Sequence, residues 1–184
     1  MKALRVRAAL ALGAIVCVGV GGTYAYWSDS VPVSGVTITS GTLDLKVNNA
    51  DSITNYSGLN LTNMVPGNST AAVLTVQNAG NVPLTYYADG SATGPLGAAL
   101  VVKITGDTSV TGSGSSATCA GTALANSGTS FSSNLIGSSA NPRTLAAGAS
   151  ESICVQATLP STASSSLQGT TTNIALTFNA NQVQ

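Results

Sequence analysis

The sequence predicts an all-β fold, an antiparallel β-sandwich. Three observations lead to this prediction. Apolar residues alternate with polar ones in short segments, which is the period of a half-buried strand. Turn-forming residues separate these segments. The chain is rich in Ser, Thr, Gly, Ala, Asn and Val and poor in the Leu, Lys and Glu that favour helices.

The first 25 residues predict a secretory signal peptide. Basic residues precede an apolar run at 8–20, and this order is typical of export signals. A helix of about 13 residues would reach about 20 Å, short of a hydrocarbon core of about 30 Å. We therefore expect no stable membrane insertion. The small residues Thr23 and Ala25 place the cleavage between Ala25 and Tyr26.

Cys17 lies inside the apolar run and suggests an alternative, a lipoprotein acylated at this cysteine. The residue before it is Val16, and cleavage there would leave the segment 21–25 without a role. Cleavage after Ala25 is therefore preferred. The mature residues 26–184 suit a single sandwich domain.

Seven segments after the cleavage site alternate as strands do. In chain order they are 36–39, 43–47, 72–77, 82–87, 100–105, 153–159 and 173–178. Pro83 cannot donate a ladder hydrogen bond, so its strand is an edge strand or begins there. Turns are predicted at 66–68, at 78–81 and at Asp89–Gly90, where Pro, Asn, Asp and Gly favour turn geometry.

Two further segments are rich in serine. The segment 106–126 is too polar to pack, and we predict that it forms a mobile loop held by Cys119. The segment 161–169 follows Pro160 and is predicted to form one helical turn around 163–167. Neither segment suggests an internal repeat or a second domain.

Cys119 and Cys154 are the two cysteines of the mature chain. An exported protein meets oxidising conditions, so we predict a disulfide between them. Closing this loop would stabilise the fold by about 3–4 kcal/mol in the chain-entropy model. The alternative is a pair of buried free thiols.

The mature chain carries three basic and six acidic residues, a net charge of −3. The basic residues are Lys46, Lys103 and Arg143, which are scattered along the chain. Phosphate backbones and anionic lipid headgroups are bound by clustered basic residues. Nucleic acid and anionic membranes are therefore poor candidates for partners.

The chain contains no histidine, which excludes His-based metal sites and imidazole acid–base catalysis. The few acidic residues are spread along the chain, which disfavours a glycosidase-like pair. No Asp-x-Asp-x-Asp-Gly calcium loop occurs. The sequence therefore predicts no catalytic, cofactor-binding or metal-binding residue, and no enzyme.

Several motifs resemble the TasA/camelysin family, whose precursors are cleaved by signal peptidases of the SipW type. The motifs are GGTYAYWSD at 21–29, SGTLDL at 40–45, LTNMVPGNS at 61–69, VQNAGNVPL at 76–84, ATLP at 157–160, LQG at 167–169 and IALTF at 174–178. The likeness covers both ends and is weak from Thr85 to Ser150. The cysteine pair is not a feature associated with the family.

The resemblance implies a secreted jelly-roll sandwich that assembles into extracellular fibres of a biofilm matrix or cell surface. Each subunit passes an N-terminal strand to the next. The implied partners are other copies of the chain, an anchoring or accessory matrix protein, and the SipW-type peptidase during export. Some members have been classed as metallopeptidases, and the absence of histidine speaks against that activity here.

The residues themselves also favour strand donation by the segment 26–39. Its aromatic residues are ones that a soluble monomer rarely leaves exposed at a chain end, and its β-branched residues favour a strand. A sandwich with an open edge, and with few charges to block pairing at that edge, is suited to strand donation. The predicted donor residues are Tyr26, Trp27, Val31, Val33, Val36 and Ile38. The alternative is that this segment forms the first strand of its own sheet.

Two other functions stay open. One is a monomeric adhesion or binding module, in which the Ser/Gly-rich loops near Cys119 recognise a ligand. The other is a peptidase or an unrecognised hydrolase, which the absence of the usual catalytic side chains disfavours.

Overall fold

The computed structural model describes residues 40–54, 56–59, 62–106, 108–124, 130–132 and 134–183. The strands in these ranges are β1 (Leu45–Val47), β2 (Ser69–Asn78), β3 (Leu84–Ala92), β4 (Val101–Thr105), β5 (Val110–Thr111), β6 (Thr118–Cys119), β7 (Arg143–Leu145), β8 (Ser150–Thr158) and β9 (Ile174–Gln182). A short helix, α1 (Gly94–Ala99), joins β3 to β4. Single 3₁₀ turns occupy Ser57–Leu59 and Ser165–Leu167.

Two antiparallel sheets enclose the core. One has four strands in the order β1-β2-β8-β4, and the other has three in the order β7-β3-β9. The longest ladders join β2 to β8 and β3 to β9, each over nine residue pairs. Strands β5 and β6 form a separate hairpin. The predicted all-β antiparallel sandwich is confirmed.

The core follows the period of two that the sequence shows. Every second residue of β2 from Thr70 to Asn78 is buried. Side chains of both sheets meet in one cluster, and fully burying each large one stabilises the fold by about 1.5–3 kcal/mol. Its members include Leu74, Val76, Ile153 and Val155 from the four-stranded sheet and Leu84, Tyr86, Ala88 and Leu145 from the three-stranded sheet.

Six of the seven predicted strand segments fall in described residues and coincide with β1, β2, β3, β4, β8 and β9. The seventh, 36–39, lies outside the described residues. β3 begins directly after Pro83, which was one of the two alternatives for this proline. Strands β5, β6 and β7 were not predicted, because the sequence around these short strands shows no run of alternating apolar and polar residues.

The helical turn predicted within 161–169 is the 3₁₀ turn Ser165–Leu167. The hydroxyl of Ser164 accepts a hydrogen bond from the backbone N–H of Ser166 at 3.2 Å. This side chain therefore caps the turn, as serine commonly does.

The predicted turn at Asp89–Gly90 is wrong, since both residues lie inside β3. The carboxylate of Asp89 accepts a hydrogen bond from the backbone N–H of Asn134 at 2.7 Å. A Cβ on Gly90 would lie 2.0 Å from Cδ1 of Leu135. Because glycine has no side chain, another segment can approach β3 closely here, which is a common role of glycine in strands.

The expectation that the segment 106–126 is too polar to pack is wrong for its middle part. Ile153 and Val155 face the core, so the alternate residues of β8, such as Gln156, face outward. The hairpin of β5 and β6 covers this outer face, and the N–H of Cys119 donates to Oε1 of Gln156 at 2.9 Å. Ala117 and Cys119 are buried as a result. Hydrogen bonds to backbone groups help to fix this hairpin, and the periodicity of apolar residues in the sequence cannot predict such bonds.

Candidate functional site

The outer edge of β9 is unpaired among the described residues, because β9 pairs only with β3. The N–H of Val183 donates to the carbonyl of Pro83 at 3.2 Å, and the carbonyl of Asn173 accepts from Thr93 at 3.1 Å. Backbone groups alternate in direction along a strand. The odd-numbered residues therefore bond to β3, and the even-numbered residues from Ile174 to Gln182 present their N–H and C=O groups to the open side.

The sequence of β9, IALTFNANQ, contains no charge and no proline. Proteins commonly protect an exposed edge with lysine, proline, a bulge or a very short strand. β9 has nine residues and none of these side-chain protections. Its edge is therefore chemically able to pair with another strand.

The core is also incompletely covered along β9. Ile174, Leu176 and Phe178 face the core but are only partly buried. By contrast, Leu84 and Tyr86 on the neighbouring β3 are 0% exposed. An open strip of apolar surface therefore lies beneath the unpaired edge. We call this strip, with the even-numbered backbone groups of β9, the β9 groove.

The other sheet edges in the described part of the chain are shorter or occupied. β1 and β7 have three residues each. β4 has five, and the carbonyl of Ile104 accepts a hydrogen bond from the N–H of Leu124 at 2.8 Å. Thr105 forms a bridge with Ala123. The β9 groove is thus the longest open edge among the described residues.

Ser40, the first described residue, lies at the end of the sandwich where β9 ends. The N–H of Thr42 donates to Oδ1 of Asn81 at 2.6 Å, and the N–H of Asn81 donates back to the carbonyl of Thr42 at 3.1 Å. Asn81 belongs to the same short connection as Pro83, whose carbonyl accepts from Val183. Any segment that precedes Ser40 is therefore attached at this end.

Tyr86, Arg143 and Glu151 form a polar cluster at one side of the core, which we call the clasp. The hydroxyl of Tyr86 donates to Oε1 of Glu151. Arg143 donates from Nε to the same oxygen at 2.8 Å and from Nη2 to Oε2 at 2.7 Å. The three residues belong to β3, β7 and β8, so the clasp joins the two sheets.

The clasp keeps its carboxylate charged. Burial raises the pKa of Glu151, but the hydrogen bonds from Arg143 and Tyr86 outweigh burial and hold this pKa below its usual value. Burial and the neighbouring Glu151 raise the pKa of Tyr86, and hydrogen bonding to Glu151 raises that of Arg143. At neutral pH the clasp therefore consists of an uncharged Tyr86 hydroxyl bound to the ion pair of Arg143 and Glu151.

A second charged group lies on the surface beside β1. Nζ of Lys46 is 2.6 Å from Asp51 and 3.5 Å from Asp44. Hydrogen bonding to Asp51 raises the pKa of Lys46, and the same contact lowers the pKa of Asp51. Exposed ion pairs of this kind contribute little to stability, and we assign them no functional role.

A disulfide joins Cys119 and Cys154, with their Cα atoms 5.7 Å apart. The predicted bridge is confirmed, and it ties the β5–β6 hairpin to β8. The residues predicted for signal cleavage and strand donation lie outside the described residues. They are Ala25, Tyr26, Trp27, Val31, Val33, Val36 and Ile38.

The described residues contain no group of three or more His, Cys, Asp or Glu side chains able to hold a metal ion. A surface depression of about 380 Å³ is lined by Leu124, Gly137, Asn141, Pro142, Arg143 and Thr144. Arg143 is its one ionisable lining residue, and this side chain is bound to Glu151. In the same part of the chain, no helix has the length and apolar character needed to cross a bilayer.

Sequence reasoning missed the clasp and did not assign the open edge to β9. Tyr86 and Glu151 are 65 residues apart, and each has the local pattern of an ordinary strand residue. The strand β9 itself was predicted. The second edge of β9 is unpaired because of the order of strands in the sheet, and no local sequence pattern encodes that order.

Residues 4–86 match the model of a family described as camelysin metallo-endopeptidase. No curated protein matches the chain. The matched range contains the predicted motifs at 21–29, 40–45, 61–69 and 76–84, while the likeness of the motifs after residue 156 stays a prediction. Over residues 4–86 the chain is therefore similar to the camelysin family, which confirms the resemblance that its motifs predicted.

Proposed function

We propose that the mature chain is a structural subunit, or an accessory subunit, of an extracellular biofilm-matrix or surface fibre. Its N-terminal segment 26–39 pairs with the β9 groove of the next copy. The observation that carries this proposal is the uncharged, unpaired edge of β9, which has nine residues and apolar surface beneath it. A donated strand would extend the three-stranded sheet to four.

The donor segment has the residues that such a groove accepts. Val36 and Ile38 share one face of a regular strand, and Val31 and Val33 share the opposite face. A bulge at Gly35 would bring both pairs to the same face. Either arrangement supplies β-branched side chains that cover the partly buried residues of β9.

The point of attachment also suits a linear polymer. The donor precedes Ser40, at the end of the sandwich where β9 terminates. Each subunit then offers a donor at one end and a groove along one edge, which is a heterologous contact that repeats without closing. The partner of each subunit is accordingly a second copy of the chain, with an anchoring or accessory protein at the fibre end.

The proposal includes export. The signal peptide 1–25 is removed by a SipW-type peptidase, and the mature protein begins at Tyr26 in the extracellular space. The disulfide between Cys119 and Cys154 supports an oxidising location. No membrane or nucleic-acid partner is proposed, because the mature chain has a net charge of −3 and scattered basic residues.

We propose a structural role in preference to the peptidase activity in the family description. The chain lacks histidine altogether, so the usual zinc ligands of metallopeptidases are missing. Digestion of casein by the purified mature protein, with and without a chelator, tests this point. Chelator-sensitive digestion would contradict the structural assignment.

Removal of Tyr26 to Pro32 tests strand donation. The truncated protein should keep its disulfide and its sandwich, because both lie in residues 40–183. Size-exclusion chromatography and electron microscopy should find fibres of the intact mature protein and monomers of the truncated one. Equal rates of assembly would contradict donation from this end. An intact protein that stays monomeric would favour the adhesion module.

A further inference from the structure

The ring of Tyr86 lies under the β9 groove. Tyr86 is on β3, directly opposite Ala180 of β9, and its ring centroid is 6.3 Å from that of Phe178. The two rings are tilted by 34°. Tyr86 is fully buried, whereas Phe178 is only partly buried at the open edge. The position of Tyr86 therefore determines where Phe178 lies in the groove.

The clasp holds Tyr86 in place from the opposite side. Its hydroxyl is bound to Glu151, and two hydrogen bonds from Arg143 orient that carboxylate. Arg143 lies on β7, the other edge of the same sheet, and Glu151 lies on β8 of the facing sheet. The cluster thus fixes both the tilt of the ring and the spacing of the two sheets beside the groove.

We propose that the clasp shapes the β9 groove for an incoming strand, so that Tyr86 and Glu151 are positioning residues for fibre assembly. The inference rests on the proposed function. Without the hydroxyl contact the Tyr86 ring has no polar anchor, and Phe178 can relax into the space that a donor side chain needs. Assembly should then slow even though the monomer stays folded.

The clasp also predicts a direction for the effect of pH. Among the described residues, Arg143 and Tyr86 are the titratable groups that act on Glu151, and its opposite neighbour across the β2–β8 ladder is the apolar Val76. Above the usual glutamate pKa of about 4.3 the carboxylate is charged and accepts all three hydrogen bonds. Because the hydrogen bonds hold the pKa of Glu151 below that value, the carboxyl becomes protonated and the clasp loosens only as the pH falls well below it.

The test compares assembly of four mature proteins that begin at Tyr26: the parent, Tyr86→Phe, Glu151→Gln and Val102→Ala. Tyr86→Phe keeps an aromatic ring at position 86 and removes only the hydroxyl. Val102 is buried in β4 of the other sheet, so its substitution lowers stability without touching the clasp. Light scattering follows assembly at neutral pH and at about pH 2–3, well below the usual glutamate pKa, and circular dichroism checks that each monomer is folded.

The clasp variants should assemble about tenfold more slowly than the parent at neutral pH, because each loses a hydrogen bond to a charged group. The parent should slow in acid, and Glu151→Gln should show a flat pH profile. Val102→Ala should assemble like the parent at both pH values. Folded clasp variants that match the parent throughout would overturn the inference.

The same result would leave strand donation intact, provided that the protein lacking Tyr26 to Pro32 still fails to assemble. If that truncated protein assembles as fast as the parent, the proposed function fails and the clasp loses its role with it. If Val102→Ala assembles as slowly as Tyr86→Phe, the clasp affects assembly only through the stability of the fold. That result would also contradict the inference.

Discussion

At the scale of single residues, Gly90 shows how closely Leu135 packs against β3. The space beside the Cα of Gly90 is filled by Leu135, which is 0% exposed. The sheet therefore accepts the neighbouring segment only because this position has no side chain. Gly90, which the sequence pattern predicts to lie in a turn, is thus a packing position in the middle of a strand.

We expect Gly90→Ala to destabilise the protein by about 1–3 kcal/mol, the usual effect of overfilling a core. Urea unfolding followed by circular dichroism measures this change. Gly106→Ala is the matched control, since the nearest atom to its Cβ would be Leu124 Cδ2 at 3.8 Å. A Gly90→Ala variant as stable as the control would show that Leu135 moves aside without cost.

Residue chemistry alone predicted some of these positions. The pairing of Cys119 with Cys154 followed from their number and from the predicted compartment. The roles of Asp89 and Glu151 did not, because Asn134 and Tyr86, which bind them, are distant in the sequence. Asp89 binds Asn134, 45 residues away. Long-range contacts of this kind leave no trace in the local sequence.

At the scale of elements, the β5–β6 hairpin shows how a polar segment joins the fold. The disulfide fixes the hairpin to β8, and the hydroxyl of Ser69 donates to the carbonyl of Ala117 at 2.7 Å. Nζ of Lys103 donates to the carbonyl of Cys119 at 2.7 Å. The disulfide and hydrogen bonds to backbone carbonyls of the hairpin hold it in place, without a run of apolar side chains.

Replacing both cysteines by alanine should lower the free energy of unfolding by about 3–4 kcal/mol, because the closed loop then opens in the unfolded chain. Chemical unfolding measures this loss. Alkylation without reductant followed by mass measurement should find both native thiols blocked. Two alkylated thiols in secreted protein would contradict the bridge.

Element prediction succeeded where a strand is long enough to show its period. β2, β8 and β9 each have nine or ten residues, and all three were predicted. The two-residue strands β5 and β6 were missed. Only the sheet order determines which long strand has an open edge. The sequence therefore predicted an open edge but not the strand that carries it.

At the scale of the whole molecule, the proposed export would determine where the proposed donor begins. We expect N-terminal sequencing of secreted protein to start at Tyr26, because Thr23 and Ala25 are the small residues that precede the cleavage. Mass spectrometry of the same material should find no lipid. A protein that begins at Cys17 and carries an acyl group would contradict this and place the chain at the membrane surface.

Strand donation requires that the β9 edge is open in the monomer and paired in the fibre. Residue-resolved hydrogen–deuterium exchange of both forms tests it directly. The amides of Leu176, Phe178 and Ala180 face the open side, and those of Thr177 and Asn179 already bond to β3. We predict that the first three exchange rapidly in the monomer and become protected in fibres, while the other two change little. Fibres in which Leu176, Phe178 and Ala180 exchange as fast as in the monomer would contradict the account, and so would full protection of these three amides in the monomer.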